Sequence, residues 1–248
     1  MISLKIQAYD VYSKIASGNR INSASDDPAG LAISEKLESQ IKGDQQAIQN
    51  IESSQDLLNT ADGSLQNVLT DLGRVRELTV QAGNGIFTDE DRAVIQNEIN
   101  SLFENIQSNV QNTNFNTKKL VDGSFTNQQL GVGANGQGTQ MTIRDASLEA
   151  LGLDNFSVED GVDKIDEAIS RVTESLSEIG ASTNGLESNL NNTRVSEINQ
   201  AASQSGIRDL DIAKQVIELN KQNSLNQYKI LLQNKQAEQA ESRLGLLI

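Results

Sequence analysis

Two acidic groupings are the nearest this chain comes to reactive chemistry. Asp26 and Asp27 are adjacent, and Asp209 and Asp211 follow Arg208 closely. Neighbouring carboxylates could begin a cation site. A simpler use explains the first pair: Pro28 comes next, at a position suited to the first residue of a helix, and an aspartate before it can accept from the free helical amides. Local ion pairing or contact between subunits suits the second pair better than catalysis. Arg74, Arg76 and Glu77 read as a charged, solvated helix face. The chain has no histidine and no cysteine, so it lacks the commonest general base and has no thiolate for a metal or a disulfide. No nucleophile–base arrangement or phosphate loop is visible. The expectation is therefore no catalytic residue, no metal and no cofactor, and a protein that is not an enzyme.

Composition points the same way. The 248 residues carry 34 acidic and 20 basic side chains, a net charge of −14. That balance argues against nucleic acid and against an anionic membrane surface as partners. Aromatic residues make up only 3%, tryptophan is absent and there is a single proline. Such a composition suits long helices packed along narrow seams. No N-terminal stretch resembles a secretory signal, and no apolar run approaches membrane-spanning length.

Helical periodicity occupies both ends. Residues 1–17 carry apolar residues at helical spacing, including Ile6, and Gly18 and Asn19 break the pattern. Arg20 and a polar run follow, then a new helix from about Pro28 towards Gln81. Its seam is read on Ile41, Ile48, Ile51, Leu58, Leu65, Leu69 and Leu72, with imperfect steps at Asp44, Gln55 and Asp62. The glycines of Ala82-Gly83-Asn84-Gly85 are expected to stop it. Thr88-Asp89-Glu90-Asp91 resembles a helix cap, and Val94 to Val110 continue a shorter helix. The middle, 114–145, is rich in Asn, Gly, Gln and Thr. Alternation at 128–132 and 139–143 predicts one or two small antiparallel hairpins.

The C-terminal part has the cleanest repeat. From Val162 through Ile165, Val172, Ile179 and Leu186 to Thr193, apolar or small residues alternate three and four apart. Ser203-Gln204-Ser205-Gly206 is expected to be a weak point. Ile212, Val216, Leu219, Leu225, Tyr228, Leu231 and Leu232 then form another amphipathic helix, which runs on to Leu246 and Leu247. Isolated helices are marginal in water, so these stripes must find partners. The fold expected is mainly α: a long antiparallel bundle or coiled coil built from both chain ends, with a small β-hairpin region in the middle. The terminal segments, 1–17 and 207–248, hold more apolar positions than one helix pair can hide. They are expected to bury them against further copies.

Several separated blocks resemble bacterial flagellins. They are RINSASDDPAGLAISEKL at 20–37, GRVRELTVQAGNG at 73–85, IQNEINSLFENI at 95–106, NTNFNTKKLVDGSF at 112–125 and SGIRDLDIA at 205–213. Order and spacing agree over nearly the whole chain, and together the blocks are highly specific. The resemblance implies a structural subunit of the flagellar filament that assembles through its terminal helices for motility. It divides the chain into an inner part, 1–17 and 207–248, whose N-terminal helix is shorter than the family's; a joint, 18–40, with Gly18, Arg20, Asp27 and Pro28; and a rod-like bundle, 41–206. It implies an extracellular, flagellar location reached unfolded through type III export without a cleaved signal peptide, to which a cysteine-free chain is suited. It also implies an export chaperone, hook-associated and cap proteins, and Toll-like receptor 5 as partners. Arg74, Leu78 and Glu98 match the family's receptor-recognition and subunit-contact positions. A hook–filament junction protein or another flagellin-like surface coiled coil is the alternative, and the RVRELTVQ block favours flagellin over it.

Overall fold

The computed structural model describes residues 2–131, 133, 136 and 138–245. Its elements are α1 (Ile2–Ser17), α2 (Pro28–Ala82), α3 (Asp89–Asn112), β1 (Asn114–Phe115), β2 (Lys118–Lys119), β3 (Gln128–Gly131), β4 (Gly138–Met141), α4 (Leu148–Leu151), α5 (Asp163–Arg208) and α6 (Ile212–Gly245). The fold is mainly α, with long antiparallel helices and two small hairpins, as the periodicity predicts.

Local chemistry sets most boundaries. α1 ends where Gly18 takes a left-handed φ of 70°. The Asp27 carboxylate caps α2 by accepting from the amides of Ala29 (3.1 Å) and Gly30 (2.9 Å). Thr88 and Asp91 form a reciprocal capping box at the start of α3. Asp211 caps α6 by accepting from the Lys214 amide at 3.0 Å.

α2 ends at Ala82, where expected, but by another geometry, and one expected weak point leaves its helix unbroken. Neither Gly83 nor Gly85 has a positive φ, so no left-handed glycine closes α2. Its end tightens instead, with the Asn84 amide donating to the Gln81 carbonyl at 3.1 Å. The Ser203–Gly206 stretch does not break α5, which continues to Arg208. The Ser203 hydroxyl bonds back to the Asn199 carbonyl at 2.8 Å, and one interior glycine costs only about 1 kcal/mol.

The chain forms two compact units, residues 42–197 and residues 1–41 with 198–248. In the first, α2 and α5 run antiparallel. Arg76 pairs with Asp166 (2.6 Å), Glu52 with Arg194 (2.7 Å) and Gln45 with Glu197 (2.8 Å), so partner numbers rise on one helix as they fall on the other. α3 is likewise antiparallel to α2, through Ser64–Asn109 (2.8 Å) and Arg74–Glu98 (3.0 Å).

The seam of α2 is not quite the one that hydropathy suggests. Ile51, Leu58, Leu65 and Leu72 are fully buried at intervals of seven, with Ser54, Ala61 and Val68 buried between them and Ala47 and Val75 buried at either end. Gln55 and Asp62 are half-buried beside this stripe, and Ile48 and Leu69 pack against its edge. The apparent misses arise from following the largest side chains and passing over the alanines and serines. α5 repeats the pattern: Ile165, Val172, Ile179 and Leu186 alternate with Ala168 and Ser175. Small residues leave the holes that facing large ones fill. The buried Ser54, Thr79 and Ser175 hydroxyls donate to backbone carbonyls four residues earlier, so they enter the core satisfied.

The middle of the chain covers this core. β1 pairs with β2 across Asn116 and Thr117, both at positive φ (46° and 70°), a geometry that suits a two-residue hairpin turn. β3 pairs with β4 in the register Gln128↔Met141 to Gly131↔Gly138. Leu120, Phe125, Leu130, Met141 and Ile143 join the α2–α3–α5 core, and Phe103 meets Phe156 edge to face at 5.8 Å.

If the alternation of large and small residues sets the helix spacing, Ala61→Leu overpacks the seam. The expected cost is about 1–3 kcal/mol in chemical denaturation. A fully stabilising Ala61→Leu would show that the hole is not filled.

Candidate functional site

Three places carry the residues singled out by sequence: the joint, the terminal helices, and the face around Arg74.

At the joint, two distant segments meet as a short antiparallel crossing. The Arg20 amide donates to the Arg208 carbonyl (2.6 Å), the Leu210 amide donates to the Gly18 carbonyl (2.9 Å), and Asn19 bridges Asp209. The Arg20 guanidinium reaches the Ile207 carbonyl at 2.5 Å, and Arg208 pairs with Glu38 at 3.0 Å. The end of α1 is thereby held beside the α5–α6 break by backbone bonds that do not depend on side-chain identity. Gly18 permits the turn, and Asp27 with Pro28 starts α2.

Asp26 does not cap α2. It closes its own loop, accepting from the amides of Asn22 (3.1 Å) and Ser23 (3.0 Å), and it pairs with Lys14 of α1 at 2.8 Å. The Lys14 ammonium, helped by those amides, holds the Asp26 carboxyl well below the usual carboxylate range, and Lys14 is raised in return. Ile21 and Gly30 complete the joint. Ile21 is buried, and a Cβ at Gly30 would lie 2.4 Å from the Asp27 carboxylate and 2.7 Å from Ile21 Cδ1. Sequence reading missed Gly30. The available signal was a glycine in the first turn of a strong helix, where propensity alone disfavours it.

α1 packs against α6. Val11 and Leu219 are buried. Ile212, Val216, Leu225, Tyr228, Leu231 and Leu232 are not; they are 38–62% exposed along α6, and Tyr12 on α1 is similarly open. Ile6 lies within α1, while Leu246 and Leu247 fall outside the described residues. Ile217 and Ile230 are open too, so eight large apolar side chains of α6 stay outside any core of the described residues.

On the α2–α3 face, Arg74 bridges Glu98 and Glu77, each at 3.0 Å, and all three are exposed. Leu78 is elsewhere: at 2% exposure it belongs to the core. Of the three residues aligned by resemblance, only Arg74 and Glu98 are presented together at the surface. Leu57, Ser64 and Leu78 fall on one seven-residue series and are all buried, with Ser64 bonded to Asn109 of α3, so α2 is covered on a second side by α3. Half-buried Asp71 lies in the same series, and burial pushes its carboxyl up.

Among the described residues, no group of three or more acidic, histidine or cysteine side chains could hold a metal ion, and no helix is long and apolar enough to cross a membrane. What the arrangement offers is contact area.

Comparison with known proteins gives that area a setting. Residues 5–126 match the bacterial flagellin N-terminal helical region, and residues 162–246 match the C-terminal helical region. A flagellin of Halalkalibacterium halodurans is 37% identical, with 97% of this chain and 92% of that protein covered. A flagellin of Bacillus subtilis is also 37% identical, over 94% and 90%. A flagellar filament core protein of Treponema maltophilum is 32% identical, over 94% and 90%. Among solved structures, a Bacillus cereus flagellin is similar with TM-score 0.52 and 26% identity, covering 58% of this chain and 88% of that one. A putative flagellar hook-associated protein of Vibrio parahaemolyticus shares the fold alone, with TM-score 0.60 at 18% identity, covering 74% and 100%.

Two outcomes follow from this geometry. Leu78→Ala should destabilise the 42–197 unit by about 2–5 kcal/mol in denaturant titration, because it empties a buried site; a change near zero would place Leu78 at the surface. The depressed Asp26 carboxyl stabilises the joint above the ordinary aspartate pKa of about 3.9, and that contribution fades as the pH falls below it towards the folded value. Protection of the Asn22 and Ser23 amides, taken relative to intrinsic exchange at each pH, should therefore fall on acidification, and Asp26→Asn should remove that fall.

Proposed function

Because this chain belongs to the bacterial flagellin family and is a structural subunit of the flagellar filament, we propose that α1 and α6 are the surfaces through which its copies assemble. The row of open apolar side chains on α6, from Ile212 to Leu232, carries this reading. Each large side chain covered on assembly contributes about 1.5–3 kcal/mol, and a helical array repeats that gain at every subunit. On this reading, residues 1–17 and 207–248 form the inner assembly part. The joint at 18–40 orients it, and residues 41–206 form the rod.

The same surface needs cover before assembly. An export chaperone on α6 serves that purpose, and the subunit travels unfolded, without a cleaved signal peptide, to the extracellular end of the flagellum. Hook-associated and cap proteins meet the subunits at the ends of the filament. Arg74 and Glu98 are the pair through which a free subunit meets Toll-like receptor 5 or a stacked neighbour, with Leu78 acting through the packing beneath them. The family is a structural one, and the work proposed here is association and not chemistry.

Replacing Leu231 and Leu232 together with serine tests the assembly surface. Negative-stain microscopy and sedimentation should find dispersed subunits, while thermal unfolding of the 42–197 unit is unchanged. Filaments of ordinary length from the double variant would overturn the proposal.

A further inference from the structure

The chain carries the Asn-Gly dipeptide in two well-described settings, Asn84-Gly85 and Asn184-Gly185, and their backbones differ in a way that bears on covalent chemistry. Asn84 and Gly85 occupy the exposed turn between α2 and α3. The Phe87 amide donates to the Asn84 carbonyl at 3.2 Å, which leaves Gly85 as the first central residue of a turn with its own N–H outside the turn bond. The Ile86 amide donates to the Asn84 side-chain Oδ1 at 3.3 Å. That bond folds the Asn84 carboxamide over the following backbone and polarises its C=O.

We infer that Asn84 is a site of spontaneous deamidation built into the α2–α3 turn. The Gly85 backbone nitrogen, on losing its proton to solvent, attacks Asn84 Cγ. The N–Cγ bond forms, the Cγ–Nδ2 bond breaks, and ammonia leaves after taking up a proton. Water then opens the cyclic imide at either carbonyl and leaves aspartate or isoaspartate. The net change exchanges ammonia for water and adds one negative charge. Glycine at 85 places no side chain in the path of the attack. The Ile86 N–H already donates to the oxygen on which negative charge develops, so it stabilises the tetrahedral intermediate.

Asn184-Gly185 supplies the internal comparison. Both residues are exposed, like the first pair, but they sit inside α5. There the Gly185 amide is engaged in the helical ladder, and a helical side chain leans back towards the N-terminus, away from the next peptide nitrogen. The same dipeptide with the same solvent access is thus held apart from its nucleophile.

The test holds the full-length chain, folded, in warm and mildly alkaline buffer, with peptide mapping by mass spectrometry over time. Asn84 should convert to a mixture of aspartate and isoaspartate while Asn184 persists. In denaturant the two should react at comparable rates. Gly85→Ala distinguishes the mechanism without threatening the fold, because its φ is not positive and a Cβ there meets nothing within 4 Å. It should slow the loss at Asn84 several-fold and leave Asn184 unchanged. If Asn84 survives in the folded protein as long as Asn184 does, or if Gly85→Ala leaves its rate unaltered, the inference is wrong.

Discussion

The 42–197 unit depends on one repeat: a large apolar side chain at every seventh position of α2 and α5, with a small one between. Ile51, Leu58, Leu65 and Leu72 on α2, and Ile165, Val172, Ile179 and Leu186 on α5, are all buried and form its seam. Ala47, Ser54, Ala61, Ala168 and Ser175 contribute space, and without it the large residues could not interlock. Ion pairs such as Arg76–Asp166 and Glu52–Arg194 flank the seam; exposed as they are, they add little energy, but they mark its register.

Everything else in that unit is arranged around the seam. α3 covers a second side of α2, which is why Leu57, Ser64 and Leu78 are buried away from the main stripe. A small polar cluster of Ser64, Asn109 and Thr113 pins the end of α3 against α2, with mutual hydrogen bonds of 2.8–3.0 Å. A half-buried cluster of this kind is tolerated because its members satisfy one another, and that requirement makes it specific for one register. The hairpins add Leu120, Phe125, Leu130 and Met141 to the same core, so the polar middle of the sequence is folded by the helices beneath it.

The other unit follows a different logic. Its joint is secured by backbone bonds between residues 18–20 and 207–210 and by the Lys14–Asp26 pair, while much of α6 keeps its apolar side chains open. The net charge of −14 gives copies of the chain a mutual repulsion that salt weakens. Stability in one unit and unsatisfied surface in the other are a natural division for a subunit that is completed by its neighbours.

Local sequence determined the boundaries that depend on one or two side chains. Gly18 ended α1, Asp27 and Pro28 began α2, Thr88 and Asp91 capped α3, and alternation placed the hairpin at 128–141. Each of these is settled by backbone conformation or by a hydrogen bond within a few residues. Tertiary structure decided which residues are inside. Ala61 and Ser54 are core because of what faces them, Leu78 is hidden because α3 lies over it, and α5 passes through Ser203–Gly206 because a long packed helix outweighs a weak turn signal. Hydropathy assigns each residue its own value, whereas burial belongs to a pair of surfaces, and the second surface is known only once the chain has folded.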